Sequence, residues 1–298
     1  MTRDGTMGAP DAARDFEPHR RHLVGLAYRM LGSLAEAEDA VQEAYLRWHR
    51  ADRASVANPR AFLSKTVTRL CLDVLKSARA KRESYVGPWL PEPVLDSATL
   101  AADTASDYAE DLSVALMLAL ERLSPLERAA FLLHDVFDMD YAEIAETLGR
   151  NEAACRQLAA RARDHVRAAR PRFPVSVEDG RKLVAAFIDA SRSGDAAGLA
   201  RLLAENAVLY TDGGGKKIAA LNPIFGRDRI VRFLVSVARK QQLHPVVGLR
   251  PAEVNGLPGF VAVERDGTHQ TVALDVRDGA IAAIYIVRNP DKLHHVTA

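Results

Sequence analysis

"DYAEIAETLGRNEAACRQLAARAR", Asp140 to Arg163, decides what the first part of this 298-residue chain can be. Asp140 can accept the free N–H groups of a first helical turn, and Glu143 three residues on completes a capping pattern. Gly149 can take the φ > 0 backbone that ends that helix, and Asn151 can cap the next. A helix, a short glycine turn and a longer basic helix predict a helix-turn-helix. On the second helix Cys155, Leu158, Ala159, Ala162 and Val166 share one face; Arg156, Gln157, Arg161 and Arg163 share the outer one. Short inner residues permit close packing, and Arg and Gln suit base edges and phosphates of a major groove. A structural αα-hairpin has the same periodicity, but the cationic outer face favours DNA.

Upstream, Ser124-Pro-Leu-Glu127 is a capping box with proline in the first turn, and Ser33-Leu-Ala-Glu36 is another. After the latter, Leu34, Ala37, Val41, Ala44 and Trp48 recur on one face. Asn58 caps a helix with Pro59 in its first turn. Phe62, Leu63, Val67, Leu70, Val74 and Leu75 form its apolar stripe, and Arg60, Lys65, Arg69, Lys76 and Arg79 its opposite face. "GPWLPEP", Gly87–Pro93, carries three prolines and cannot be helical. It reads as an inter-domain linker, whose Trp89 and Leu90 either dock on a neighbouring surface or only space the domains.

The formal net charge is +1, but the charge is unevenly placed. Arg150 to Arg172 holds seven arginines against two acids, whereas Ser84 to Glu121 holds seven acids and no Lys or Arg. Basic blocks flanking an acidic stretch suit polyanion surfaces or, alternatively, solvated helix faces. Cys71 and Cys155 lie far apart inside helical patterns, which argues against a disulfide framework and fits a reducing cytosol. No apolar run reaches the roughly 20 residues of a membrane span, and the N-terminus lacks a signal-peptide core. The expectation is a cytoplasmic protein with no membrane partner.

Beyond "RFPVSVEDG" the pattern changes. Helices are predicted over Lys182–Ser193, Ala196–Ala204 and Phe225–Lys240, with a strand at "NAVLYTD" between the last two. Strands follow over Val246–Val254, Gly259–Arg265, Gln270–Val276 and Ile281–Val287, separated by Asn255-Gly256, Asp266-Gly267 and Asp278-Gly279 turns. Helices before an antiparallel meander predict an α+β domain whose curved sheet surrounds a pocket.

"LAEAEDAVQEAYLRW", "NPRAFLSKTVTRLCLDVLKSARAKRE" and "LSPLERAAFLLHDVFDMDYAEIAETLGRNEAACRQLAARAR" resemble regions 2 and 4 of extracytoplasmic-function sigma factors. The chain from about Lys182 is similar to a SnoaL-like domain of the cone-shaped NTF2 type, which one sigma subgroup carries fused at its C-terminus. "WLPEP", "DGGGK" and "NPDKL" resemble that subgroup's three markers. The fold implied is two all-α helical domains followed by an α+β NTF2-like cone. The expected boundaries are 12–86 for region 2, 87–112 for an acidic linker, 113–172 for region 4 and 177–298 for the cone.

The resemblance implies an initiation subunit that binds core RNA polymerase and promoter DNA. Asp39, Gln42 and Glu43 would hold the polymerase. Asn58, Arg60, Lys65, Arg69, Lys76 and Arg79 would engage the −10 element, where Lys65, Arg69 and Lys76 suit a single-stranded backbone. Arg150, Asn151, Arg156, Gln157, Arg161 and Arg163 would serve the −35 element, although Leu158 stands where a basic residue is usual. Trp89, Leu90 and Pro91, Asp212, Gly213, Gly214, Gly215 and Lys216, and Asn289, Pro290, Asp291, Lys292 and Leu293 would form regulatory contacts between domains.

"DGGGKKIAALNP" is not a phosphate loop: the GxxxxGK[ST] spacing and its hydroxyl residue are missing, and the next helix begins too late. The glycines instead allow a tight turn that presents Asp212 and Lys216 to a neighbour. Two other classes stay open. A one-component regulator would need no second cationic module. A SnoaL-like cyclase or isomerase would draw its acid and base from Asp212, His244 and His269, and these make no convincing pair. The reading is a non-enzymatic protein without metal or cofactor, with room in the cone for a small-molecule ligand.

Overall fold

Helix starts fall where capping side chains can take up free backbone N–H groups. In the computed structural model, which describes residues 8–83, 85–95, 97–102, 104, 108, 111–167, 176–241 and 246–296, α1 (Gly8–Leu31) precedes α2 (Leu34–Arg50). Ser33 Oγ accepts from Glu36 N at 3.3 Å to open α2, and Asn58 Oδ1 accepts from Ala61 N at 3.1 Å to open α3 (Pro59–Glu83). After α4 (Val114–Glu121), Ser124 and Glu127 form the complete capping box of α5 (Pro125–Phe131). A π-helical turn, Leu132–Val136, leads to α6 (Tyr141–Leu148) and α7 (Glu152–Arg167). Asp140 caps α6, Gly149 ends it at φ 62°, and Asn151 Oδ1 accepts from Ala154 N at 2.8 Å to cap α7.

The chain divides into two compact units, the first built from residues through Lys81, Ala98–Leu112 and Leu116 through α7. Its core contains Trp48, Leu63, Val67, Phe131 and Ile144. Two buried arginines tie its parts together. Arg29 donates to the carbonyls of Leu100 (2.9 Å) and Gly25 (3.2 Å), and burial lowers its pKa to about 10. Arg128 donates to Met30 O at 2.6 Å and pairs with Glu121 at 3.0 Å. Gly25 has to be glycine, since a Cβ would lie 2.6 Å from Leu100 O. Cys71 and Cys155 are buried free thiols.

The second unit contains Arg82–Ser97, Ser113–Ala115 and the chain from α8 onward. Here α8 (Val177–Ser193) starts earlier than predicted because Ser176 caps it through Asp179 N. Following α9 (Ala196–Leu202), β1 (Leu203–Asp212) begins before "NAVLYTD". Then come the two-residue β2 (Ile224–Phe225), α10 (Arg227–Gln241), and β3 (Val246–Val254), β4 (Leu257–Glu264), β5 (His269–Arg277) and β6 (Ala280–Val287). The sheet order is β2-β1-β6-β5-β4-β3, antiparallel throughout except for the β1–β6 pair. Register shifts in β1, β3 and β5 supply the bending of a sheet that curls around α8, α9 and α10. Phe187, Leu199, Ile230, Leu234, Leu274 and Ile284 fill the enclosed side. This is the NTF2-like cone.

Candidate nucleic-acid interface and linker clasp

Helix α7 buries Cys155, Ala159, Ala162 and Val166 and exposes Arg156, Gln157 and Arg161, with Arg150 and Asn151 also open at its start. Leu158 is half-buried. Arg156 pairs with Glu152 at 2.7 Å and its guanidinium lies 5.0 Å from the Tyr141 ring centre. Arg161 approaches Glu127 at 3.4 Å; that carboxyl is held below its usual pKa, mainly by the Ser124 hydrogen bond. Arg163 departs from the expected outer face. It makes a two-pronged pair with Asp135 at 2.6 and 3.0 Å, which strengthens its hold on its proton.

On α3 the cationic side chains among the described residues, Arg60, Lys65, Arg69 and Lys76, are already engaged. Lys65 is hydrogen-bonded to Glu146, and Arg69 donates to the carbonyls of Thr147 (3.1 Å) and Glu146 (3.0 Å). The end of α6 leaves carbonyls without helical partners, and Arg69 satisfies two of them. Arg60 lies 3.2 Å from the buried His22 ring, and Lys76 pairs with Asp73 at 2.9 Å on the surface. Arg79's side chain and His244 lie outside the described residues. On α2, Asp39 and Gln42 are exposed and Glu43 pairs with Arg47 at 3.0 Å. Leu46, exposed one turn on, extends that face and was not foreseen.

In the second unit the three marker stretches converge on one carboxylate. Asp212 is 0% exposed. Its Oδ1 accepts from Tyr85 Oη at 2.5 Å and Gly214 N at 3.0 Å; its Oδ2 accepts from Leu90 N at 2.9 Å and Lys292 Nζ at 2.8 Å. The Lys292 ammonium lies 4.3 Å from the Trp89 ring centre and 4.9 Å from that of Tyr85, and also donates to Leu90 O. Asn289 Nδ2 donates to Tyr85 Oη at 2.9 Å. Burial, followed by the Asp212 contact, raises the Tyr85 pKa. Gly214, at φ 59°, presses so close that a Cβ would lie 2.3 Å from Asn289 Nδ2.

The clasp extends along the linker. Asn255 Oδ1 accepts from Val94 N at 3.2 Å, Asn255 N donates to Val94 O at 2.7 Å, and His295 lies 2.6 Å from Pro93 O. Leu90, Pro91 and Leu293 are buried, Gly213 and Gly215 belong to the tight turn, and Pro290 opens the short 3₁₀ turn Pro290–Lys292. Lys216 pairs with Asp291 at 2.6 Å at the surface. Asp212 is thus the hub of the clasp and not a group presented outward. Tyr85 escaped the sequence reading because nothing local announces its partner, 127 residues away.

A cavity of about 570 Å³ opens between α8, α10 and the inner sheet face. Asp212 and His269 are not among its described lining residues, and His269 is the first residue of β5.

Among family models, Sigma-70 region 2 matches residues 16–81 and Sigma-70 region 4 matches residues 113–166. The chain is 42% identical over 289 residues to the ECF RNA polymerase sigma factor SigJ of Mycobacterium tuberculosis, covering 93% of this chain and 92% of SigJ. It is 32% identical over 285 residues to that organism's probable ECF sigma factor SigI, covering 95% of each. The crystal structure of M. tuberculosis SigJ superimposes with a TM-score of 0.73 at 37% identity, covering 94% of this chain and 98% of that one. With both sigma-70 regions in order and similarity across nearly its whole length, the chain belongs to the extracytoplasmic-function RNA polymerase sigma factors, promoter-directing subunits of transcription initiation.

Proposed function

We propose that the cone restrains this sigma factor in cis by clasping the stretch that joins its two DNA-facing parts. The observation that carries the reading is the Asp212 hub: a carboxylate of β1 binds Tyr85 and Leu90, which lie in sequence between the −10-type and −35-type helices. Because the cone is fused to its target, an effective concentration of about millimolar lets even a weak contact persist.

The roles follow from the faces. Arg150, Asn151, Arg156, Gln157 and Arg161 read the −35 element, with Arg163 bracing α7 from behind. Asn58, Arg60, Lys65, Arg69, Lys76 and Arg79 serve the −10 element, and Asp39, Gln42 and Glu43 meet the polymerase. Since Lys65 and Arg69 are held by α6, α6 has to leave before they reach DNA. The free chain therefore binds duplex only in the non-specific range, about 10⁻⁴–10⁻⁶ M, until polymerase separates the two parts.

The cone acts by contact and carries no turnover. Both Asp212 oxygens already accept two donors each, which leaves the carboxylate poorly placed as a base. Its cavity is a small-molecule site. Run-off transcription with purified core polymerase tests the restraint. Removing Asn289–Ala298, which deletes Lys292, raises transcription. Removing everything after Arg172 has a different effect, because Leu90 and Val94 then lose the surface that buries them. Identical transcription from all three chains would overturn the restraint, and tight operator binding by the free chain would overturn the polymerase-dependent mechanism.

A further inference from the structure

The cone cavity lies beside the clasp, and the two share a loop. Thr211 and Lys216–Ala220 line the cavity, while Asp212 and Gly214 of the same loop build the clasp. Arg288 connects them. Its side chain lines the cavity and donates to Ile218 O at 2.6 Å; its backbone N–H, with that of Asn289, donates to Asp212 O at 2.7 and 3.0 Å.

The chemistry of the lining selects its occupant. Phe187, Phe233, Leu249, Phe260 and Val272 provide apolar walls, and the volume suits a drug-sized molecule. Among the described residues, two buried polar atoms on this lining have no hydrogen-bond partner, Ser191 Oγ on α8 and Arg288 Nε past β6. An unsatisfied buried donor is costly, so each is a place for a ligand oxygen. Gln270 also reaches the cavity from β5, on the same inward face as Val272. The enclosed charges are already paired, Arg288 with Glu264 and Lys217 with Asp266 at 3.2 Å, whereas the two other lining cations, Arg192 and Lys216, are exposed to solvent and Lys216 is held by Asp291. A carboxylate ligand would have to displace Glu264, whereas a carbonyl or hydroxyl needs only the spare donors.

We propose that the cone is a receptor for an uncharged, mainly apolar small molecule bearing hydrogen-bonding oxygen, and that occupancy tightens the clasp by pinning the 213–220 loop. The coupling rests on the cis-restraint above; the binding does not.

Titration of full-length protein with pyrenebutanol and with pyrenebutyrate, which share one skeleton, tests the site. Pyrenebutanol saturates one site per chain, and the carboxylate binds at least about tenfold more weakly. Ser191→Leu fills the cavity from a helical position and weakens pyrenebutanol by about tenfold or more. Ser191→Ala, which keeps the space open but removes one spare donor, weakens pyrenebutanol by only a few-fold, and unchanged far-UV circular dichroism of both variants controls for folding. No saturable binding of the alcohol, equal binding to the Ser191→Leu chain, or tighter binding of the carboxylate would each overturn the site. The coupling is read separately, from hydrogen exchange of the Leu90 amide, which slows when pyrenebutanol is bound. Saturable binding with unchanged Leu90 exchange would overturn the coupling while leaving the site standing, and neither result decides whether the clasp restrains transcription.

Discussion

Asp212→Asn is the sharpest perturbation of the clasp, since it preserves shape and removes charge. The carboxylate accepts four hydrogen bonds, one of them from Lys292, whose side chain is only 12% exposed. Asparagine keeps one oxygen and turns an NH₂ group toward two donors, leaving the lysine cation without its buried partner. Breaking a buried pair from one side costs about 3–5 kcal/mol, and the retained oxygen argues for the lower end. At about 1.4 kcal/mol per decade, 3 kcal/mol is roughly a hundredfold. The Leu90 amide, which donates to Asp212 Oδ2, should therefore exchange about a hundredfold faster in the variant. Amides of α2, in the other unit, serve as the reference and should not change. If Leu90 exchanges at the wild-type rate, the linker is held by its apolar contacts and the hub assignment fails.

Glu146→Lys places a like charge beside Lys65, so the free chain should bind a single-stranded −10 oligonucleotide more tightly, by no more than about a few-fold because the pair is exposed. Equal affinity in a binding titration would mean that α6 does not cover the track. Gln157→Ala and Arg161→Ala should each weaken −35-dependent initiation by about 1–3 kcal/mol and change base preference across a promoter library, if the contacts are base-specific. Uniform losses would reassign them to phosphates. Stability of the first unit should fall with acid. Burial, reinforced by Arg60, lowers the His22 pKa from 6.5 to about 3, so between those values the unfolded chain binds a proton that the folded chain refuses. The contribution is complete above pH 6.5 and drops by about 1.4 kcal/mol per pH unit below it. Denaturant titrations at pH 7 and 5 should show this loss, and His22→Gln should reduce it.

The local signals were legible. Ser33, Asn58, Ser124, Asp140 and Asn151 each cap the helix expected of them, because a cap needs only a few adjacent residues. The four late strands follow from their alternation and intervening turns, where Asn255 and Asp278 take positive φ beside their glycines. What was not legible depends on distant partners. Arg163 sits on the outer arc of a helical wheel, yet Asp135 on the preceding π-helical turn draws it inward. The marker stretches were recognisable as three sites; that they close on one buried carboxylate, with Tyr85 as a fourth member, requires the folded cone. The start of α8 differs for a local reason, since Ser176 caps it through Asp179 N and carries the helix about a turn upstream of the predicted Lys182.

The central claim, that the clasp restrains initiation, is tested most directly by run-off transcription from one promoter with core polymerase and either the wild-type or the Asp212→Asn chain, at concentrations that saturate polymerase. The restraint predicts more transcript from the variant at equal polymerase occupancy, in parallel with its faster Leu90 exchange. Equal transcript from the two chains, with the Leu90 amide demonstrably released, would contradict it.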